Sequence, residues 1–151
     1  MDIRLDDLSS PQVQALLEEH LRNMHQLSPP ESVHALPIAA LRRPEVTFWS
    51  VWQGGQLLGC GALKQLDAGH GEIKSMRTAS AHRRRGVARA LLEHILREAR
   101  GRGYSRVSLE TGSNEPFEAA RRLYAGFGFT PCGPFAEYVQ DPNSAFMTRL
   151  L

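Results

Sequence analysis

The sequence predicts an α/β (α+β) fold, a mixed and mainly antiparallel central sheet of about seven strands flanked by about four helices. Two observations carry this. Residues 46 to 78 read as β-forming segments separated only by turn residues, the pattern of an antiparallel meander. A strong amphipathic stripe from Val87 to Ala99 then sits between two β-forming segments, which demands a crossover and hence one parallel strand pair. At 151 residues the chain reads as one domain, 1–151, long enough to bury about 70% of its unfolded surface.

Taken in order, Ile3 to Leu5 suits a short first strand. Ser9 or Ser10 can cap a helix with Pro11 at its first position, because proline has no N–H to lose there. Val13, Leu16, Leu17 and Leu21 keep helical spacing to about Leu27, and Pro29-Pro30 stops it. A second short helix fits Ser32 to Leu41, ended by Pro44. Val46 to Gln53 is a strand rich in β-formers, Gly54-Gly55 a two-residue hairpin turn, and Gln56 to Leu66 the returning strand. Asp67 to Gly71 is a turn and Glu72 to Thr78 a further strand. Gly86 opens the strong helix, whose stripe is Val87, Leu91, Leu92, Ile95, Leu96 and Ala99, and Gly101 and Gly103 close it. Arg106 to Thr111 is a strand with Val107 and Leu109 on one side. Pro116 to Phe127 is a helix, and Phe129 to Cys132 and Ala145 to Leu150 are the last strands.

Composition narrows the function classes. Hydrophobic residues at 42% and charged residues at 23% are ordinary for a soluble globular protein. A net charge of +2 favours an anionic ligand weakly and does not demand nucleic acid. Cys60 and Cys132 lack metal-ligand spacing and read as reduced thiols of a cytoplasmic protein. The histidines show no ligand spacing, so no metal is expected. No stretch approaches the ~18 apolar residues of a membrane span, so no membrane partner is expected.

Arg83-Arg84-Arg85-Gly86-Val87-Ala88 lies between a strand and a helix. The first N–H groups of a helix lack internal partners and carry partial positive charge, so a pyrophosphate fits there. Gly86, with no Cβ, permits close approach, Ala88 is small, and the arginines add donors. The competing reading is a solvated charge run beside a loop glycine. The segment lacks the Gly-Lys-Ser/Thr of a Walker motif and the three glycines of a dinucleotide fingerprint. No aromatic residues interleave with the arginines, which argues against a nucleic-acid patch.

Arg83, Gly86 and Ala88 stand at the spacing Arg/Gln-x-x-Gly-x-Gly/Ala, and Ala120, Leu123, Tyr124, Gly128 and Phe129 at the spacing Ala-x-x-Leu-Tyr-x-x-x-Gly-Phe. With both motifs in the expected segment order, the chain resembles the GNAT acetyltransferase superfamily over about residues 72 to 130. Gly71 to Thr78, Pro134 to Tyr138 and Asp141-Pro142 are further similar to a bacterial subgroup. The resemblance implies an enzyme that moves an acetyl group from acetyl-CoA to an amine acceptor. It implies that Met76, Arg77 and Thr78 bind the pantetheine arm through their backbone, like an added strand. The N–H of Met76 would face the thioester oxygen, and Arg84, Arg85, Gly86, Val87, Ala88 and Arg89 would wrap the pyrophosphate, with Arg83 leading the motif. Asn114 is the family's asparagine displaced, six residues before Ala120 where three is commoner.

A thioester is already activated, so the amine can attack it directly once a base has taken its proton. Glu72 is the first candidate, sharing a strand face with Lys74, Met76 and Thr78 by alternation; pairing with Lys74 or a solvated strand edge is the other reading. Glu110 and His34 are reserves. The resemblance gives Tyr124 the role of protonating the departing thiolate, where helical spacing alone makes it a core aromatic. Trp49, Trp52, Arg77, Phe135 and Tyr138 are candidate acceptor linings, with core favoured for Trp49. A non-catalytic acyl-CoA sensor is the alternative function, and the assembly, a homodimer included, stays open.

Overall fold

The computed structural model describes residues 1–151. Its strands are β1 (Asp2–Leu5), β2 (Val46–Gln53), β3 (Gln56–Asp67), β4 (His70–Thr78), β5 (Arg106–Gly112), β6 (Thr130–Cys132) and β7 (Ser144–Leu150). Its helices are α1 (Pro11–Leu27), α2 (Ile38–Leu41), α3 (Val87–Gly101) and α4 (Glu118–Gly126). The strands form one seven-stranded sheet in the order β1-β2-β3-β4-β5-β7-β6. Only β4 and β5 run parallel, joined by the α3 crossover.

Local chemistry sets most boundaries. The Ser10 side chain accepts the N–H of Val13, and Pro11 opens α1. Gly54 and Gly55 both have positive φ, as a tight hairpin turn matching the strand twist requires. The expected helix from Ser32 to Leu41 is a correction. Only Ile38–Leu41 is α-helical, preceded by a 3-10 turn at Pro30–Ser32. Pro37 disfavours helical backbone at Leu36, so the helix cannot extend back to His34. The last helix is likewise split, with a 3-10 turn at Glu115–Phe117 before α4.

Each face of the sheet carries a core. On one side α3 buries Val87, Leu91, Leu92, Ile95, Leu96 and Ala99 against Leu63, Ile73, Val107 and Leu109. Fully burying each large aliphatic side chain stabilises by about 1.5–3 kcal/mol, so this helix is the main anchor of the fold. On the other side α1 and α2 place Val13, Leu16, Leu17 and Leu41 over Phe48, Cys60 and Ala62. Trp49 is core, as expected, buried on the α3 side.

Two irregularities shape the centre. The β4–β5 ladder runs from His70↔Arg106 only to Ile73↔Leu109. Beyond it β4 stays on β3 while β5 stays on β7, so the two strands part in a wedge. The β3–β4 register passes from Cys60↔Arg77 to Ala62↔Lys74, which leaves Ser75 and Met76 opposite Gly61 in a bulge. Ser75 takes φ 56 there. A Cβ on Gly61 would stand 2.4 Å from Met76 Sδ, so the glycine gives Met76 its place.

The candidate active site

A cavity of about 550 Å³ fills the wedge between β4 and β5. Its lining runs from α1 and the His34 segment, across Lys74 to Thr78, to Arg83, Arg84, Val87 and Ala88 at the start of α3. Glu110, Ala120, Leu123 and Tyr124 line the opposite wall.

At the α3 end the chain is shaped for an anion. Gly86 has φ 79, the left-handed region that glycine enters without cost. A Cβ built there meets nothing within 4 Å, so open space lies before the first helical N–H groups. This fits a diphosphate, which takes hydrogen bonds from unpartnered helix N–H groups and needs a close backbone. Arg84 also has positive φ, at 64°. Arg83 and Arg84 line the cavity, whereas the Arg85 side chain meets His82 Nδ1 at 3.2 Å and the Arg89 guanidinium lies 5.0 Å from the Phe127 ring centre. Arg85 and Arg89 can therefore serve an anion through their backbone while their side chains are engaged elsewhere. The Asn114 side chain donates to the Leu27 carbonyl at 3.0 Å and ties the β5–α4 loop to the end of α1.

Strand alternation fails at the bulge, which corrects the expected arrangement. Glu72 and Lys74 share one face, but Met76 does not join them. It packs on the opposite core with Ile73 and Leu91. Arg77 turns to the Glu72 side instead, donating to Glu19 at 2.9 Å and Asn23 at 3.0 Å on α1. One inserted residue inverts every later side chain, so a period-two reading of β4 is right up to Lys74 and inverted at Met76 and Arg77.

Glu72 is 3% exposed and engaged on two sides. Its carboxylate accepts from Lys74 Nζ at 3.1 Å and from the Tyr138 hydroxyl at 2.5 Å, and Lys74 also donates to that hydroxyl at 2.8 Å. The pairing with Lys74 weighed from the sequence is the one observed. Burial and the neighbouring Glu72 charge hold the Tyr138 phenol well above its ordinary range. Tyr138 belongs to the β6–β7 loop, where it meets His34 edge-to-face at 5.0 Å. Phe135 packs beside it. Ser32 donates to Asp141 at 2.6 Å, which pins that loop to the segment after α1. Trp52 lies apart, its indole N–H bonded to Ser50 and Arg4 stacked on its ring near the sheet edge.

Glu110 faces the cavity from β5. Burial raises its carboxyl from 4.5 to about 7, against the pull of Lys74. Tyr124 lines the same cavity, and its burial pushes the phenol upward, which keeps it protonated. A carboxyl that titrates near neutrality and a protonated phenol thus line the same wall of the wedge. Sequence reasoning held Glu110 only in reserve. The available signal was its place one residue after Leu109, opposite in facing to the apolar Val107 and Leu109. It missed His20 and Ser75, which also line the cavity.

Comparison with known proteins agrees with this geometry. The model of the acetyltransferase (GNAT) family matches residues 12–129. The uncharacterised N-acetyltransferase YsnE of Bacillus subtilis (strain 168) is 60% identical over 151 residues, all of both chains. The crystal structure of a candidate acyl-CoA N-acyltransferase from Klebsiella pneumoniae superposes with a TM-score of 0.80 at 27% identity, covering 99% of this chain and 97% of that one. A GNAT family acetyltransferase from Elizabethkingia anophelis with acetyl-CoA bound shares the fold at a TM-score of 0.70 and 15% identity, covering 99% and 97%. With its two motifs, its split parallel pair and a family match over residues 12–129 in agreement, the chain belongs to the GNAT acetyltransferase family and is an acyltransferase.

Proposed function

We propose that residues 1–151 form one acetyl-CoA-dependent N-acetyltransferase that passes the acetyl group directly from the thioester to the amine of a small molecule or peptide. The observation that carries this is the wedge between β4 and β5, which leads from the α3 N-terminus to a half-buried carboxyl, Glu110, and a buried phenol, Tyr124. The acetyl-CoA bound to the Elizabethkingia relative supports the choice of donor.

In this reading the edge of β4 that β5 leaves open, at Met76, Arg77 and Thr78, hydrogen-bonds the pantetheine arm, and Met76 N–H polarises the thioester carbonyl. The N–H groups of Val87, Ala88 and Arg89 and the cations of Arg83 and Arg84 hold the diphosphate, with Arg85 and Gly86 shaping the approach. Acetyl-CoA supplies an activated acyl carbon. Glu110, poised near neutrality, takes the proton of the attacking amine, directly or through a water. We give it this role in preference to Glu72, whose carboxylate is spent on Lys74 and Tyr138. The C–S bond breaks as the C–N bond forms, and Tyr124 returns a proton to the leaving thiolate. Acetyl-CoA and the amine suffice as partners in a cytoplasmic reaction, with neither nucleic acid nor membrane involved.

The test is release of free thiol from acetyl-CoA over a broad amine panel, with the acetylated product identified by mass. Thiol release that depends on an amine is the expected result. Tight coenzyme binding with no turnover on any amine would instead make the protein an acyl-CoA sensor.

A further inference from the structure

Three buried polar atoms without protein partners lie on residues lining the cavity, namely Arg77 Nε, Ser75 Oγ and His20 Nδ1. A buried polar group left unpaired is costly, so such atoms on three residues of one cavity wall point to a missing ligand group. Arg77 is 10% exposed at its side chain. Its two Nη atoms are used by Asn23 and Glu19, and Nε–H is the donor left over. His20 is 9% exposed and sits on α1 facing Arg77. Burial lowers it to about 4, with the Arg77 charge adding to the effect, so it is a neutral imidazole able to donate from Nδ1. Ser75 stands on the bulge at φ 56, and Cys60 Sγ donates to its carbonyl at 3.5 Å.

The chemistry selects an anionic oxygen ligand. Arginine Nε only donates, and the serine hydroxyl and neutral imidazole can both donate beside it. The charge balance agrees. Glu19, the carboxylate partner of Arg77, is 41% exposed and screened by water, so a nearly buried guanidinium is left undercompensated. A carboxylate matches a guanidinium better than a neutral group does. Position supplies the rest. Ser75 and Arg77 flank Met76, where the acetyl-transfer reading puts the acyl carbonyl, so the anion and the attacking nitrogen belong to one small molecule.

Resting on that reading, we propose that Arg77 Nε, Ser75 Oγ and His20 Nδ1 form a carboxylate subsite, and that the acceptor is an amino-acid-like amine carrying its carboxylate a few bonds from the nitrogen. The amine still loses its proton to the base and attacks the acyl carbon, while the carboxylate takes no part in bond making.

The experiment compares free amino acids with their carboxamides as acceptors, in the wild type, Ser75→Gly and Arg77→Met. Glycine suits the left-handed backbone at position 75, so that variant keeps the bulge. The wild type should prefer the carboxylate member of a pair in kcat/KM by at least tenfold to a hundredfold, the worth of one hydrogen bond to a charge. Ser75→Gly should cut that preference about tenfold, and Arg77→Met should remove it. If Arg77→Met fails to fold, Ser75→Gly decides. Equal use of acid and amide would overturn the subsite and leave the orphan atoms to bound water, with acetyl transfer intact. A Ser75→Gly effect on the KM of acetyl-CoA alone would assign the atoms to the coenzyme and also overturn it. If no amine is turned over, calorimetric binding of N-acetylated amino acids against their amides tests the subsite apart from the reaction. Equal or absent binding in that arm rejects the proposal.

Discussion

If Glu110 is the proposed base, one proton ties its stability contribution to turnover. Burial holds its carboxyl at about 7 against 4.5 unfolded, so the folded state binds this proton more tightly. The associated stability is full below about pH 4.5 and is lost as pH rises through about 7. Glu110→Gln should therefore be more stable than the wild type at pH 8, by up to about 3 kcal/mol, with the difference gone near pH 4. Thermal unfolding at the two pH values measures this. The same change should lower turnover about 10²–10⁴-fold and erase the rise of the wild-type rate through pH 7. A surviving rise would move the base to His34 or a water chain. Tyr124→Phe keeps the ring and removes the hydroxyl. If the phenol protonates the thiolate, turnover should fall about 10²-fold with coenzyme affinity held, since a thiolate leaves fairly well unaided. If Tyr124 only packs, the change should cost about 1 kcal/mol of stability and leave the rate alone. Both residues were visible as residue types. What separated Glu110 from Glu72 was burial and partners, and neither is written in a residue's immediate neighbours.

The start of α3 and the bulge of β4 are the two elements that build the site, and they were legible to different degrees. The α3 N-terminus was plain in the sequence, because a glycine before an amphipathic stripe is a local signal. Gly86→Val should weaken acetyl-CoA binding severely while the protein stays folded. A β-branched residue at φ 79 costs about 1–2 kcal/mol in backbone strain, and its side chain enters the open approach to the helix N–H groups. Calorimetry against acetyl-CoA checks this, and an unchanged Kd would place the diphosphate elsewhere. The bulge gave no such signal. It depends on Gly61, a strand away, and on Leu91 of α3, since a Cβ at position 61 would meet both Met76 and Leu91. No reading of Glu72 to Thr78 alone could place Met76 on the far face.

At the scale of the whole molecule, the two sides of the cavity have different origins. The half proposed for the coenzyme lies between β4 and α4, within one stretch of chain, and its motifs kept their spacing because helix starts and turns are set by near neighbours. Element order, the parallel crossover, the α3 stripe, the Gly54-Gly55 turn and the family motifs were all determined by the sequence for that reason. The rim on the α1 side joins segments far apart, Ser32 to Asp141 across 109 residues and Asn114 to Leu27 across 87. Only the tertiary structure decided which carboxylate faces the cavity, which is locked to Lys74 and Tyr138, and which side of β4 Arg77 takes. Burial, hydrogen-bond partners and local dielectric are sums over atoms brought together by folding, and they set the protonation of Glu110 and the orphaned donors of Arg77, Ser75 and His20.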